Sequence, residues 1–242
     1  MAFRTQAFVC ALLSWSAITA AELRYPVRHD HWLKSGEGTL EIHENGVRFH
    51  ESNNRKHRWN WRWADIQQLK LSPRTIWVLT YEDVRLKLGQ DRRHRFDLTG
   101  SGDFQDVWRL LRGRAEVRLV AALADTEAEV LWRVPVKLVR RFGGVQGLLL
   151  ATTHGLTFQA DLPAHSRTWL WPDLDSVART GPAMLTVTTY ERSLADYGSL
   201  KSFAFQLREP LPEDRFHRLW AEVQRQHGLK LLTDDAKRSN VQ

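Results

Sequence analysis

The sequence has little cysteine and no long apolar run, and both absences narrow the kind of protein it can encode. Its 242 residues include one cysteine, Cys10, which excludes a disulfide framework and a cysteine-based zinc site. No apolar run reaches the roughly 18–20 residues of a membrane-spanning helix. The sequence also lacks a nucleophile elbow, a phosphate-binding glycine loop, a paired-histidine zinc helix and a dinucleotide fingerprint. These absences favour a protein that is not an enzyme and uses no cofactor.

The composition and the first residues indicate a folded, exported protein. Hydrophobic residues make up 43% of the chain and charged residues 26%, which is typical of a globular protein. The length suggests about two domains. Arg4 precedes an apolar stretch over residues 7–17, and small residues follow at Ala20 and Ala21, so we predict a cleaved signal peptide over residues 1–21. An uncleaved anchor is the alternative, but the stretch is short for one. The predicted location is periplasmic or secreted.

The rest of the chain contains one sequence pattern twice. The segment Gly46-Val-Arg-Phe49 corresponds to Gly155-Leu-Thr-Phe158, an offset of 155 − 46 = 109 residues. Two tryptophans and an aspartate follow each segment, with an offset of 169 − 61 = 108 residues. Because one register holds across so many glycine and apolar positions, the repeat indicates two structural units. The repeated positions are Gly46, Phe49, Trp61, Trp63 and Trp108 in the first copy, and Gly155, Phe158, Trp169, Trp171 and Trp220 in the second.

Each copy consists of short strands followed by one helix. Alternating apolar and polar residues predict the strands, and Asn45-Gly46 predicts a two-residue hairpin turn between two of them. Apolar residues at helical spacing predict a helix over residues 104–111 in the first copy and 216–223 in the second. Asp103 is the expected N-cap of the first helix, and Pro212 suits the first turn of the second. This order of elements is typical of an α+β unit made mainly of strands.

Short antiparallel strands closed by one C-terminal helix resemble the pleckstrin-homology superfold, in its bacterial PH-like and GRAM-like branch. The resemblance implies a mainly β protein of two tandem PH-like units, each a strongly bent antiparallel sheet or barrel capped by its helix. It also implies that Trp108 and Trp220 fill the open barrel ends. Neither copy has the full basic pattern of the phosphoinositide-binding members. The predicted boundaries are 22–114 for the first unit, 115–132 for a packed connector, 133–230 for the second unit and 231–242 for a polar tail.

Basic residues are concentrated in the first copy. The net charge of the chain is +7, of which residues 24–114 carry +6 and residues 115–242 carry +1. The excess lies in two clusters, which could bind anionic lipid headgroups or an acidic envelope polymer. The alternative is a solvated face that keeps the protein soluble. Export argues against nucleic acid as a partner. The anion-binding candidates are Arg55, Lys56, Arg58, Arg92, Arg93 and Arg95.

Histidines in the first copy give a weaker, metal-binding hypothesis. His29 and His31 would lie on one face of a strand, as the first two ligands of a site. A third ligand, His43 or Glu41, would have to come from the neighbouring strand. The second copy has Leu138 and Arg140 at the places of the histidine pair, so the fold does not require the pair.

These observations favour an exported, non-catalytic binding or scaffolding module of the cell envelope. Its expected partner is a protein, bound most simply by pairing a strand with an open sheet edge. The first alternative is a protein that binds anionic lipid or the envelope surface through the basic loops of the first copy. The second alternative is a histidine-based metal-binding protein. Salt-sensitive vesicle binding would favour the first alternative, and metal retained through purification would favour the second.

Overall fold

The computed structural model describes residues 22–30, 35–53, 57–84, 90–114, 116–192 and 200–228, and these ranges are mostly β-strand. Short 3-10 turns cover Trp63–Asp65, Pro163–His165 and Trp171–Asp173. The helices are α1 (Gln105–Leu111) and α2 (Glu213–Gln226). The strands are β1 (Leu23–Asp30), β2 (Ser35–His43), β3 (Gly46–Glu51), β4 (Arg58–Arg62), β5 (Ile66–Leu71), β6 (Thr75–Asp83), β7 (Asp91–Leu98), β8 (Leu119–Ala121), β9 (Val130–Val139), β10 (Gly144–Thr152), β11 (Gly155–Ala160), β12 (Arg167–Leu170), β13 (Leu174–Thr180), β14 (Met184–Arg192) and β15 (Leu200–Leu207).

All fifteen strands of the described ranges form one continuous sheet. Its order is β13-β14-β15-β9-β10-β11-β12-β8-β5-β6-β7-β1-β2-β3-β4. The prediction of two tandem PH-like units, each with its own bent sheet or barrel and capping helix, is therefore wrong. The physical reason is the short strand β8, which pairs in parallel with β5 and antiparallel with β12. Its backbone joins the edges of what would otherwise be two separate sheets.

The hydrophobic core is divided between the two faces of this sheet. Trp169 belongs to a cluster formed by residues from Val134 onward, whereas its neighbour Leu170 packs against the cluster of the first half. Adjacent side chains of a strand point to opposite faces, so the two clusters lie on opposite sides of the sheet at β12. We call residues 22–114 the first half and residues 130–228 the second half. The outward face of the first half is therefore continuous with the core-bearing face of the second.

The first hairpin turns one residue earlier than predicted. His43 pairs with Gly46, so the turn consists of Glu44 and Asn45, and Gly46 is the first residue of β3. A Cβ on Gly46, whose φ is +155°, would lie 1.9 Å from the carbonyl oxygen of Trp61. A larger residue cannot fit that close approach of two strands.

The same close approach recurs in the second half. A Cβ on Gly155 would lie 1.9 Å from the carbonyl oxygen of Trp169. Gly155 begins β11 just as Gly46 begins β3. The repeated glycines therefore serve strand packing, which explains why both copies retain the residue.

Most of the repeated aromatic positions lie in the core. Phe49, Trp61, Trp63 and Phe158 are buried, and Trp171 is half-buried. The Trp63 Nε1–H donates to the carbonyl of Glu44, and the Trp171 Nε1–H donates to the carbonyl of Thr153. Each indole thus ties a 3-10 turn to the preceding hairpin in the same way.

The two helices lie where the apolar spacing predicts them, but they pack differently. Trp108 is 1% exposed, whereas Trp220 is 39% exposed. The expectation that Trp220 fills an open end is therefore wrong, because Leu219 and Val223 are the buried residues of α2. In the described ranges, neither helix has the length and apolar character that a membrane crossing requires.

The helix ends also differ from the expected capping. The residue at the N-cap of α1 is Phe104, and Asp103 instead accepts a hydrogen bond from the backbone N–H of Gln105, at 3.0 Å. Pro212 stands at the N-cap of α2, one position before the first helical turn. Gly228, with a φ of +79°, directly follows the C-terminal turn of α2. A glycine there permits the left-handed conformation that ends a helix.

Candidate functional site

The predicted basic residues do not form one surface. Arg55 and Lys56 lie outside the described residues. Arg92 donates to Glu82 at 2.9 Å, in an exposed ion pair. β4 and β7 face each other across the core, where the rings of Trp61 and His94 are 4.7 Å apart. The outward residues of the two strands therefore point away from each other, which separates Arg58 from the arginines of β7.

Two arginines of β7 surround a tryptophan that the sequence analysis did not select. The guanidinium of Arg93 lies 4.5 Å from the centre of the Trp77 ring, and that of Arg95 lies 5.3 Å from it. Trp77 is half-buried and alternates with the buried Ile76 and Val78, so it lies on the outward face. A cation held over an indole ring is stabilised by the ring's quadrupole. Two residues of the predicted basic cluster, Arg93 and Arg95, therefore lie on a surface that also contains an aromatic ring.

Lys70 extends this surface toward the second half. Lys70 on β5 pairs with Trp77 on β6, which in turn pairs with Arg95 on β7. Cross-strand partners lie on the same face of a sheet, so these side chains form a row. We call Lys70, Trp77, Arg93 and Arg95 the basic–aromatic face. Arg95 is partly neutralised by two carboxylates, Asp97 at 2.9 Å and Asp30 at 3.7 Å.

The side chain of Glu191, which is nearly buried, binds several basic side chains where the second half meets the row formed by Lys70, Trp77 and Arg95. Glu191, 10% exposed, accepts two 3.0 Å hydrogen bonds from one nitrogen of Arg167, one to each carboxylate oxygen. It also accepts one from Trp169 Nε1 at 3.1 Å and one from Lys201 Nζ at 3.2 Å. Arg167 and Trp169 belong to β12 and Lys201 belongs to β15, so Glu191 orients side chains from two strands. We call Lys70, Arg167, Glu191 and Lys201 the Glu191 cluster.

The sheet places Lys70 near the other cations of the Glu191 cluster, because its partner on β8 is Val120 and the next residue of β8, Ala121, pairs with Thr168 on β12. Burial lowers the pKa of Lys70, and the charges of Arg167 and Lys201 lower it further. Glu191 acts in the opposite direction. Within the described ranges, no carboxylate forms an ion pair with Lys70. The cluster therefore holds three basic side chains around one acidic side chain.

A cleft of about 550 Å³ opens beside Glu191, between the two halves. One wall comes from the segment after α1, including Arg114 and Arg118, and the other from Asp173 and Tyr190. Burial and, to a lesser extent, Glu191 raise the pKa of Asp173 to about 6, against a hydrogen bond from the backbone N–H of Leu170. The cleft has the size of a small-molecule site and a mixed polar and apolar lining.

The predicted metal ligands are not brought together. His29 pairs with Gly36, and His43 lies seven residues further along β2. At about 3.3 Å per residue, that is roughly 23 Å. His31 lies outside the described residues. Among the residues that the structure places, no three histidine, cysteine, aspartate or glutamate side chains could hold a metal ion.

His29 instead belongs to an aromatic cluster in the core. Its Nε2 lies 3.3 Å from Nδ1 of His94, and both rings are buried. The rings of Trp59 and Phe96 lie within 5 Å of the His29 ring, centre to centre. His29 therefore contributes to packing in the first half.

The Glu191 cluster was not predicted from the sequence, and only Glu191 itself stood in a recognisable sequence pattern. The sequence repeats Thr-Tyr-Glu at residues 80–82 and 189–191, so Glu191 corresponds to Glu82. Among the described residues, however, the Glu82 side chain pairs only with the exposed Arg92. Lys70, Arg167 and Lys201 stand in ordinary alternating strands. Their proximity arises from the continuous sheet.

Many solved structures are similar to this chain, and two of them show how weak the similarity is. No protein-family model matches the sequence, and no curated protein matches it. The C-terminal domain of an unknown protein from Leishmania infantum is similar, with a TM-score of 0.33, 14% identity, and coverage of 50% of this chain and 94% of that chain. The structure of the Spt16D Pob3N heterodimer gives a TM-score of 0.33, 12% identity, and coverage of 78% and 98%. At these TM-scores neither similarity supports a conclusion, and the resemblance to PH-like proteins stays a prediction.

Proposed function

We propose that the protein is a non-catalytic binding protein of the cell envelope that attaches to an anionic lipid surface through the basic–aromatic face. The observation that carries this proposal is the pair of guanidinium groups, Arg93 and Arg95, held over Trp77 on the outward face of the sheet. Arginines fixed in this way offer donors to lipid phosphates without first losing side-chain freedom. An indole at the same place suits the boundary between lipid headgroups and water.

The charge of the whole molecule supports the same surface. The first half carries most of the net charge of +7. An anionic membrane attracts basic side chains by about 1 kcal/mol for each residue near its surface, and salt weakens the attraction. Binding that depends on this face must therefore fall as salt rises.

Co-sedimentation with vesicles tests the proposal. We expect the purified protein to bind vesicles containing phosphatidylglycerol at low salt, and to be released by high salt. Arg93→Glu should weaken this binding by roughly 10- to 30-fold, since reversing one charge changes the attraction by about 2 kcal/mol. Arg58→Glu is the matched control, because Arg58 is also exposed on a strand but points away from the face. No binding by the unmodified protein, or equal losses in both variants, would contradict the proposal.

A second candidate function is binding of a protein partner by strand addition. β4 and β13 stand at the two ends of the strand order, so each has one unpaired edge within the described sheet. An exposed edge can pair with an extended segment of another chain. This function would be favoured if vesicle binding fails and a bound partner protects β4 from amide hydrogen exchange.

A further inference from the structure

The charges of the Glu191 cluster do not balance. Lys70, Arg167 and Lys201 supply three positive charges, whereas Glu191 and Asp173, which line the same cleft, supply at most two negative charges. Arg167 is 15% exposed, so water screens its charge only in part. Like charges held together in a partly buried place repel each other, and the repulsion is unfavourable unless an anion enters.

Donors for such an anion are already in place. Arg167 bonds to Glu191 through Nη1 alone, and Lys201 gives one hydrogen bond to the same carboxylate. Their other N–H groups make no hydrogen bond with the described residues. The Lys70 ammonium adds three more donors from the opposite half. Glu191 fixes two of the cations, and it leaves most of their donors unused.

We propose that Lys70, Arg167 and Lys201 together bind one oxyanion group, a phosphate or a sulfate, between the two halves of the sheet. The inference deepens the proposed function and rests on it, because this site adjoins the basic–aromatic face. Three cations with free donors match the several oxygens of a tetrahedral oxyanion better than the two of a carboxylate. A second carboxylate would also compete directly with Glu191 for Arg167.

The site links the two halves of the molecule. Lys70 belongs to β5 in the first half, whereas Arg167 and Lys201 belong to β12 and β15 in the second. Without an anion, Lys70 repels Arg167 and Lys201. A bound oxyanion attracts all three side chains and so holds the two halves together. Because a ligand that binds only the folded state stabilises it, occupancy of the site must raise the melting temperature.

Thermal unfolding with inorganic phosphate or sulfate, at ionic strength held constant with chloride, tests the inference. We expect the melting temperature of the purified protein to rise, and Lys70→Gln to bind phosphate at least tenfold more weakly by calorimetry. Lys137→Gln is the matched control, since Lys137 is also half-buried on a strand but lies on β9, away from Glu191. Lys70→Arg should retain binding, which separates loss of charge from loss of folding. No response to either anion, or the same affinity in Lys70→Gln, would overturn the inference.

A vesicle competition separates this site from the proposed function. If the ligand is a lipid phosphate, inorganic phosphate at constant ionic strength should release the protein from phosphatidylglycerol vesicles. If the protein binds free phosphate but does not bind vesicles, the oxyanion site stands and the membrane proposal fails. If Arg93→Glu weakens vesicle binding and the unmodified protein does not bind phosphate, the membrane proposal stands and the oxyanion site fails.

Discussion

Asp65 and Asp173 occupy corresponding positions of the repeat but differ in the residue three positions before them. Each accepts a hydrogen bond from a backbone N–H, that of Arg62 for Asp65 and that of Leu170 for Asp173. The side chain of Arg62 also bonds to Asp65 and lowers the pKa of Asp65. Leu170 offers no charge, so burial instead raises the pKa of Asp173 to about 6. The neighbouring residue and the greater burial of Asp173 together give the two carboxyl groups pKa shifts of opposite sign.

Asp173→Asn should stabilise the protein at pH 7 and remove a pH dependence. The folded-state pKa of Asp173, about 6, lies above its ordinary value of 3.8, so the folded protein holds this proton more firmly than the unfolded chain. Stability linked to Asp173 is therefore greatest below pH 4 and is lost as pH rises through 6. The full effect of a shift of about two units is about 3 kcal/mol. Urea unfolding at pH 4 and pH 7 measures the difference.

Asp65→Asn provides a control of opposite sign. Its carboxylate is favoured in the folded state, so its contribution is present above its ordinary pKa of 3.8 and is lost as pH falls below that value. Asp65→Asn should therefore be less stable than the unmodified protein at pH 7. If both substitutions change stability in the same direction at pH 7, the contrast between the two aspartates is wrong.

At the scale of elements, periodicity predicts the strands and helices but not what they pack against. The apolar spacing of α1 and α2 is the same, yet Trp108 is buried and Trp220 is 39% exposed. Exposure depends on the surface that each helix meets, and no local pattern encodes that surface. β8 is harder still to predict, because three residues are too few to show a period. The Glu191 cluster depends on β8, which joins the halves, and could not be predicted before the sheet was known.

The two helix tryptophans should therefore differ strongly in their effect on stability. Trp108→Ala leaves a cavity in a closed core and should lower the free energy of unfolding by about 3–5 kcal/mol. Trp220→Ala removes a side chain that is 39% exposed, and its cost should stay below about 1 kcal/mol. Urea unfolding of both variants, followed by circular dichroism, compares them. Similar losses would show that Trp220 packs as Trp108 does.

At the scale of the whole molecule, one buried aspartate connects the halves. The Asp125 side chain is 1% exposed and lies 3.2 Å from Nδ1 of His154 and 3.6 Å from Nη1 of Arg112. Its backbone N–H donates to the Thr168 hydroxyl at 2.9 Å. Arg112 directly follows α1, whereas His154 and Thr168 belong to the second half. Asp125 therefore joins the end of the first half to the strand that carries Arg167, beside β8.

Asp125→Asn should weaken the whole fold, because it removes a charge that both halves share. Burial raises the pKa of Asp125, but hydrogen bonds from the backbone of Glu127 and from His154 outweigh burial, so the pKa lies below 3.8. The carboxylate thus stabilises the folded state above pH 4, and this contribution is lost as pH falls through the folded-state pKa. We expect the substitution to lower the free energy of unfolding at pH 7 by about 2–4 kcal/mol.

Chemical unfolding followed by both tryptophan fluorescence and circular dichroism tests this expectation. The two signals should coincide for the unmodified protein, because one sheet and Asp125 connect the two cores. They should separate for Asp125→Asn, whose halves have lost a shared buried charge. Asp161→Asn is the control, since Asp161 is exposed in the second half and should change stability by less than about 0.5 kcal/mol. Separate transitions in the unmodified protein would mean that the halves unfold independently despite their common sheet. The proposed role of Asp125 in coupling the two halves would then be wrong.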